Sequence, residues 1–266
     1  MDVLTERSSR VVSLTKLHRA AVRRAENRFL AEGFNAVDAA LTTGSAQQLL
    51  VRADDEERHA GLIERAGRSG IAVHRLTGRA AAKLSETTTA PGIFAVCELL
   101  TVGLGDALGD GPAQGFLVVA VEANDPGNAG TLIRCADAMG ADAVILAGRS
   151  VDPHNGKCVR ASAGSIFHLP VVRDPDVDAV LSALRERGIP MLATAADGEL
   201  RLDAAGPQLS APHAWLFGNE AHGLSDAVLA AADHRVSIPL RGRAESLNLA
   251  AASAICLYAS AAALTG

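Results

Sequence analysis

From residue 116 onward the chain alternates short aliphatic runs with stretches of helical composition. "FLVVAVE", "AVIL", "LPVV", "PMLATAA", "AWLFG" and "RVSIPL" read as strands that are almost purely apolar. Helices are expected at about 129–139, 156–163 and 176–187, at a start on Ser225-Asp226, and over a small-residue stretch from about 246 to 264. Ser225 and Asp226 suit an N-cap because a short oxygen side chain can accept from the first turn's free N–H groups. Strands alternating with helices in this way specify an α/β sheet. Such sheets place their ligands beyond the carboxyl ends of the strands.

The first third repeats the alternation on a smaller scale. "RFLAEG" reads as a strand leading into a helix with Phe34, Val37 and Leu41 on one face. "QLLV", "IAVHRL" and "GIFAVCEL" are further strands, with helical segments near 56–68 and 77–85. The stretch 101–115 carries five glycines and a proline with little to pack, so it reads as a linker. The expected organisation is a domain over 1–104, a linker over 105–115 and a larger domain over 116–266.

Bulk properties narrow the class. No apolar run reaches the roughly 18 residues that a membrane-spanning helix needs, and "MDVLTERSSR" has no signal-peptide core. Cys97, Cys135, Cys158 and Cys256 lie far apart without metal-ligand spacing, which fits free thiols in a reducing cytoplasm and neither zinc nor disulfides. The net charge of −5 is unusual for a nucleic-acid binder, but it is unevenly spread. Residues 1–30 hold seven basic and three acidic residues, a local +4 that leaves −9 for the rest. Within that segment Lys16, Arg19 and Arg23, at i, i+3 and i+7, either track a phosphate backbone or form a solvated helix face.

Four strand ends after residue 116 carry polar, glycine-rich text, and one alone would be an ordinary turn. "ANDPGNAGTLIR" holds Asn128, Gly130 and Arg134; Ala195-Ala196-Asp197 follows "MLAT"; Gly218-Asn219-Glu220 follows "AWLF"; and "RGRAESLN" holds Glu245, Ser246 and Asn248. Four such ends in one domain read as a shared site. It is not a dinucleotide site of the ordinary kind: no GxGxxG follows the first strand, and no acid ends the second.

Three segments, "NDPGNAGTLIRCADAMGAD", "FGNEAHGLS" and "SIPLRGRAESLNLAAA", resemble in order and spacing the motifs of the SpoU/TrmH family of RNA ribose 2′-O-methyltransferases, within the SPOUT superfamily. "VRASAGSIFHLPVV" is similar to the family's intervening segment. "KLHRAAVRRAENRFLAEGFNAVDAAL" and "KLSETTTAPGIFAV" are similar to its N-terminal substrate-binding domain. The resemblance implies a small N-terminal α/β RNA-binding domain and a C-terminal α/β SPOUT domain with a deep trefoil knot. It also implies a homodimer with the active site at the subunit interface, S-adenosyl-L-methionine as cofactor, and RNA as partner, ribosomal RNA before tRNA.

Carried over by position, Gly218, Ile238 and Leu247 would bind the cofactor, with Ala193 and Thr194 at a preceding strand end. Arg134, Asn128, Glu220, Ser246 and Asn248 would form the catalytic set, while Ser246 and Asn248 could equally be helix caps. Arg134 is implicated in activating the ribose hydroxyl. A guanidinium normally stays protonated, so its role is written as positioning and stabilising the developing alkoxide. Arg160 and Lys157 are further candidates for RNA contact, and His222 lies off the pattern. The resemblance requires no metal. A 23S rRNA methyltransferase is the expected activity. The alternatives are a tRNA 2′-O-methyltransferase, a non-catalytic RNA-binding or ribosome-assembly protein of the same fold, and a nicotinamide-dependent oxidoreductase, which the missing fingerprint disfavours.

Overall fold

A computed structural model of the chain describes residues 3–100, 102–109 and 114–264. It separates into two compact units, Met1–Leu100 with His154–His168, and Thr101–Pro153 with Leu169–Gly266. The first unit contains α1 (Ser9–Thr15), α2 (Ala20–Glu26), β1 (Arg28–Glu32), α3 (Phe34–Thr42), β2 (Ala46–Arg52), α4 (Ala60–Arg68), β3 (Ala72–Leu76), α5 (Gly78–Leu84) and β4 (Ile93–Glu98). Its sheet runs β1-β4-β2-β3, with β4 antiparallel to both neighbours and β2 parallel to β3. Leu14, Leu50, Leu76, Leu84 and Phe94 pack in its core. Each large side chain buried there contributes roughly 1.5–3 kcal/mol relative to exposure.

The basic face expected near the N-terminus does not form. A 3-10 turn at Lys16–His18 breaks the helix, and Arg19 stands at the N-cap of α2, so the i, i+3, i+7 spacing no longer defines one face. Lys16 and Arg19 are exposed, but Arg23 is buried and donates from Nη1 to the carbonyls of Leu17 and His18, both at 2.9 Å. Its charge serves the exposed C-terminal carbonyls of that turn. It is therefore a structural residue and not a phosphate contact.

The second unit begins with α6 (Leu104–Leu108), followed by β5 (Phe116–Val121), α7 (Pro126–Ala138) and β6 (Ala143–Ala147). α6 lies inside the stretch expected as a linker: Leu104, Ala107 and Leu108 pack on the core, so part of that stretch is an ordered element. Positions 110–113, also assigned to the linker, lie outside the described residues. After β6 the chain forms α8 (Gly156–Ser162), which belongs to the first unit although the sequence reading placed it in the larger domain. Then come β7 (Val171–Asp174), α9 (Val177–Glu186), β8 (Met191–Thr194), β9 (Leu200–Arg201), α10 (Gly206–Leu209), β10 (His213–Phe217), α11 (Asp226–Ala231), β11 (His234–Ser237) and α12 (Leu249–Leu264).

The seven strands run β7-β6-β5-β10-β8-β11-β9, and every pairing is parallel. All residues of β5, β6 and β10 are buried, as expected of central strands covered on both faces. Local chemistry sets the helix starts. Asp125 accepts from Asn128 N–H at 2.8 Å, with Pro126 in the first turn of α7. Asp176 caps α9 in the same manner at 3.0 Å.

A buried polar cluster ties α12 to β10. Ser260 Oγ accepts from Trp215 Nε1 at 2.8 Å and pairs with His213 Nε2 at 2.8 Å. His213 Nδ1 lies 2.7 Å from the Ala211 carbonyl, which can only accept, so this nitrogen carries the proton. Burial holds the His213 imidazole below its ordinary pKa, so it is neutral and Ser260 donates to Nε2. All four cysteines are free. Burial raises the Cys97 thiol far above its usual range and pushes Cys256 up to about 12. Among the described residues no helix is long and apolar enough to cross a membrane.

Candidate active site

Strand order decides which loops meet. β5 has β6 on one side and β10 on the other, so the connections leaving the carboxyl ends of β5 and β10 emerge side by side. This is the topological switch point at which open parallel sheets bind ligands. The two connections are joined by side-chain amides. Asn219 donates from Nδ2 to the carbonyl of Glu122 at 2.8 Å. Asn128 donates from Nδ2 to Glu220 Oε1 at 3.1 Å, across 92 positions of sequence. Glu122 adopts φ +55°, a left-handed conformation that costs a non-glycine residue about 1–3 kcal/mol. The strained peptide is the one whose carbonyl receives Asn219.

The Gly-Asn-Glu corner folds tightly on itself. Asn219 and Gly223 exchange two backbone hydrogen bonds of 3.0 and 2.9 Å, and Asn219 Oδ1 accepts from Ala221 N–H at 2.8 Å. A Cβ on Gly218 would stand 2.2 Å from the carbonyl carbon of Gly223 and 2.4 Å from Leu224 N. Glycine is needed there because the returning chain crosses it, a tighter constraint than the ligand approach the sequence suggests. Gly223 makes the return with φ +67°.

Below this corner lies a cavity of about 310 Å³. Phe217, Ile238, Leu240, Leu247 and Leu249 give it apolar walls; Thr194, Gly218 and Ser246 add polar and backbone groups. Among the described residues the charged side chains lining it are the carboxylates of Glu220 and Glu245. A second, open depression of about 660 Å³ borders it, lined by Asn124, Asp125, Asn128, Asn219, Glu220 and His222. Asn219 and Glu220 form the wall shared by both.

Most residues expected from the sequence gather here. Thr194, Gly218, Ile238, Leu247, Glu220 and Ser246 line the cavity, and Asn128 lines the outer depression. Three do not. Ala193 is fully buried within β8, one residue short of the strand end where Thr194 reaches the cavity. Asn248 caps α12, accepting from Ala251 N–H at 2.8 Å, and is not among the lining residues. Arg134 is exposed on α7 and borders neither depression of its own chain. Leu240 and Leu249 carry no polar signal that would single them out from the sequence, although both sit within the third motif; Glu245, which stands in the polar strand-end text, lines the cavity.

The second unit is thus a parallel α/β domain whose site is built from loops at a switch point, with a cavity in the size range of small-molecule sites. Residues 115–258 match the SpoU rRNA Methylase family and residues 8–95 the MRM3-like substrate binding domain. The chain is 36% identical over 262 residues to the 23S rRNA (guanosine(2553)-2′-O)-methyltransferase RlmP of Bacillus subtilis, covering 97% of this chain and 98% of that one. Among solved structures it resembles the AdoMet-bound rRNA methyltransferase from Sinorhizobium meliloti, with a TM-score of 0.84, 27% identity and 97% of each chain covered. It also resembles the SpoU methyltransferase AviRb of Streptomyces viridochromogenes in complex with AdoMet, with a TM-score of 0.83 and 27% identity over 96% of this chain and 98% of that one. The chain belongs to the SpoU methylase family.

The cavity fits the cofactor of that family. S-adenosyl-L-methionine carries a sulfonium, an ammonium and a carboxylate, a net positive charge, and the charged side chains lining the cavity among the described residues are two carboxylates. Its apolar walls suit an adenine ring.

Proposed function

We propose that this protein transfers a methyl group from S-adenosyl-L-methionine to a ribose 2′-hydroxyl of 23S ribosomal RNA. The observation that carries this reading is that the second and third motif segments line one acid-lined cavity, while the Asn219–Glu122 and Asn128–Glu220 contacts bring the first segment to the wall it shares with the outer depression. The similarity over nearly full length to an enzyme named for 2′-O-methylation of 23S rRNA supports the acceptor.

When bound, the cofactor supplies an electrophilic methyl group. Ile238, Leu240 and Leu247 would enclose its apolar parts, and Glu220 and Glu245 would face its positive charge. Asn128 keeps Glu220 oriented through a hydrogen bond. An alcohol is a poor nucleophile at neutral pH, so the acceptor hydroxyl must be held in line and its developing charge stabilised. Arg134 supplies that positive charge.

Because Arg134 is exposed and lines neither of these two depressions, we infer that a second protomer completes the site. Arg134 is exposed on α7, and α12, which packs on α7, carries an exposed stripe of Ala251, Ile255, Tyr258 and Ala262. Ile255 and Tyr258 are 40% and 65% exposed, a large apolar surface for a helix to leave in water. This face forms the homodimer interface. Family membership implies that the polypeptide of the second unit forms a deep trefoil knot. The protein acts in the cytoplasm, where its rRNA substrate resides.

Tritium transfer from labelled S-adenosyl-L-methionine into total RNA tests the reading. Label is expected in alkali-resistant dinucleotides from large-subunit rRNA and is expected to disappear with Arg134→Ala. Absence of cofactor binding by the wild-type chain would overturn it.

A further inference from the structure

The first unit holds a cleft of its own, of about 370 Å³, at the N-terminal turn of α3. Phe34, Pro91, Thr87 and Thr89 line it together with Glu32 and Arg160. Of the eight aromatic residues in the chain only Phe34 and Tyr258 are exposed, and Phe34 stands 53% in solvent, backed by the His59 ring at 6.4 Å and 26°. Glu32 is the opposite case, a carboxylate 6% exposed. Ser85 donates to its Oε1 at 3.2 Å, which uses one of about four acceptor positions of an ionised carboxylate. Arg160 Nη1 lies 3.4 Å from Glu32 and 3.6 Å from Glu86 but makes no hydrogen bond to either. Arg160 is flanked by Glu32 within the lining and by Glu86 outside it, so its charge is offset and the cleft is unsuited to a phosphate. It favours a flat neutral group with hydrogen-bond donors on its edge.

We propose that this cleft receives one unstacked guanine of the RNA substrate, an inference that rests on the RNA methyltransferase reading above. Unpaired bases are recognised by stacking on aromatic side chains and by hydrogen bonds to their edges. Guanine presents two adjacent donors, N1–H and the 2-amino group, to an acceptor-only carboxylate, and its O6 accepts from a guanidinium. Adenine and cytosine offer one amino group each, beside a ring acceptor, and uracil offers one imino donor flanked by two carbonyls. Phe34 supplies the stacking face, Glu32 the acceptor for the donor edge, and Arg160 the donor to O6. Arg160 thereby contacts the base and not the backbone.

Fluorescence anisotropy of the full chain with fluorescein-labelled nonamers U4GU4, U4IU4, U4AU4 and U9 tests this. The guanine nonamer should bind tightest, and inosine, which lacks the 2-amino group, should bind several-fold more weakly. Phe34→Ala should weaken U4GU4 by about tenfold, within the range measured for loss of one stacked base; Phe34→Trp should retain affinity. In methyl transfer to rRNA, Phe34→Ala should raise KM with kcat at saturation unchanged, and leave cofactor affinity and Tm as in the wild type. Equal binding of all four nonamers, or a Phe34→Ala affinity for U4GU4 within twofold of wild type, would overturn the proposal. If transfer to rRNA succeeds while the nonamers are not distinguished, this inference fails alone. If wild-type protein discriminates the nonamers but transfers no methyl group, the enzymatic reading fails instead.

Discussion

Ser260→Ala isolates how the last helix is held on the sheet. In the native chain Ser260 Oγ satisfies two buried groups, accepting from Trp215 Nε1 and donating to His213 Nε2, each at 2.8 Å. Trp215 is wholly buried, and His213 and Ser260 are 1% and 0% exposed, so water is not at hand to replace the hydroxyl. Leaving a buried donor or acceptor unpaired costs about 1–3 kcal/mol each, so the substitution should destabilise the second unit by about 2–6 kcal/mol. Total stabilities of folded domains are commonly only about 5–15 kcal/mol. Urea denaturation without cofactor, followed by the fluorescence of the single tryptophan, measures this directly. A Trp215→Phe background, followed by circular dichroism, removes one of the orphaned groups. There the same Ser260→Ala change should cost at least about 1 kcal/mol less. A loss below about 0.5 kcal/mol in the wild-type background, the ordinary scale of a surface substitution, would refute the reasoning. Function should follow stability, because the first turn of α12 places Leu249 and Ala252 on the cofactor cavity.

Gly218→Ala puts a methyl group 2.2 Å from the Gly223 backbone and must displace the corner; isothermal titration should find S-adenosyl-L-methionine affinity at least tenfold weaker. Asn128→Ala removes the contact that orients Glu220 and should lower kcat by about tenfold or more in the tritium assay, in the range of a lost positioning contact. Burial depresses His59, His74 and His213 below the ordinary imidazole value, so the unfolded chain binds more protons near that value. Stability is therefore full above about pH 6.5 and falls as pH drops through it toward the folded pKa values; Tm measured from pH 7.5 to 5.5 should decline over that window. A thiol-reactive dye should label Cys135 in the native chain and spare Cys97, Cys158 and Cys256, which are buried; mass mapping would show the site.

Where local pattern is strong, the elements are legible from the residues. The aliphatic runs at 116–121, 143–147 and 213–217 are strands because every side chain in them is buried, a condition composition reveals. The cap at Ser225 follows from its side-chain chemistry, whereas Asp125 starts its helix at Pro126, ahead of the expected 129. β9 and α10 are too short to show a period, and the 3-10 turn at Lys16–His18 has no strong breaker, so the face drawn through Lys16, Arg19 and Arg23 was misplaced. Arg23 illustrates the limit: its spacing suggests a solvent-facing charge, whereas its contacts are carbonyls of a preceding turn.

The sequence by itself determined an α/β chain, the polar text at the strand ends and the motif segments that assign it to a family. These are local properties, set by which side chains tolerate burial and which cap a helix. Only the tertiary structure decided that β10 lies beside β5. That choice brings Asn128 to Glu220 and Asn219 to Glu122 and makes the outer depression out of two separated loops. It likewise decided that α8 belongs to the first unit, so that Arg160 shares a cleft with Glu32 and Phe34. Strand order depends on packing among distant segments, which no short window of sequence contains.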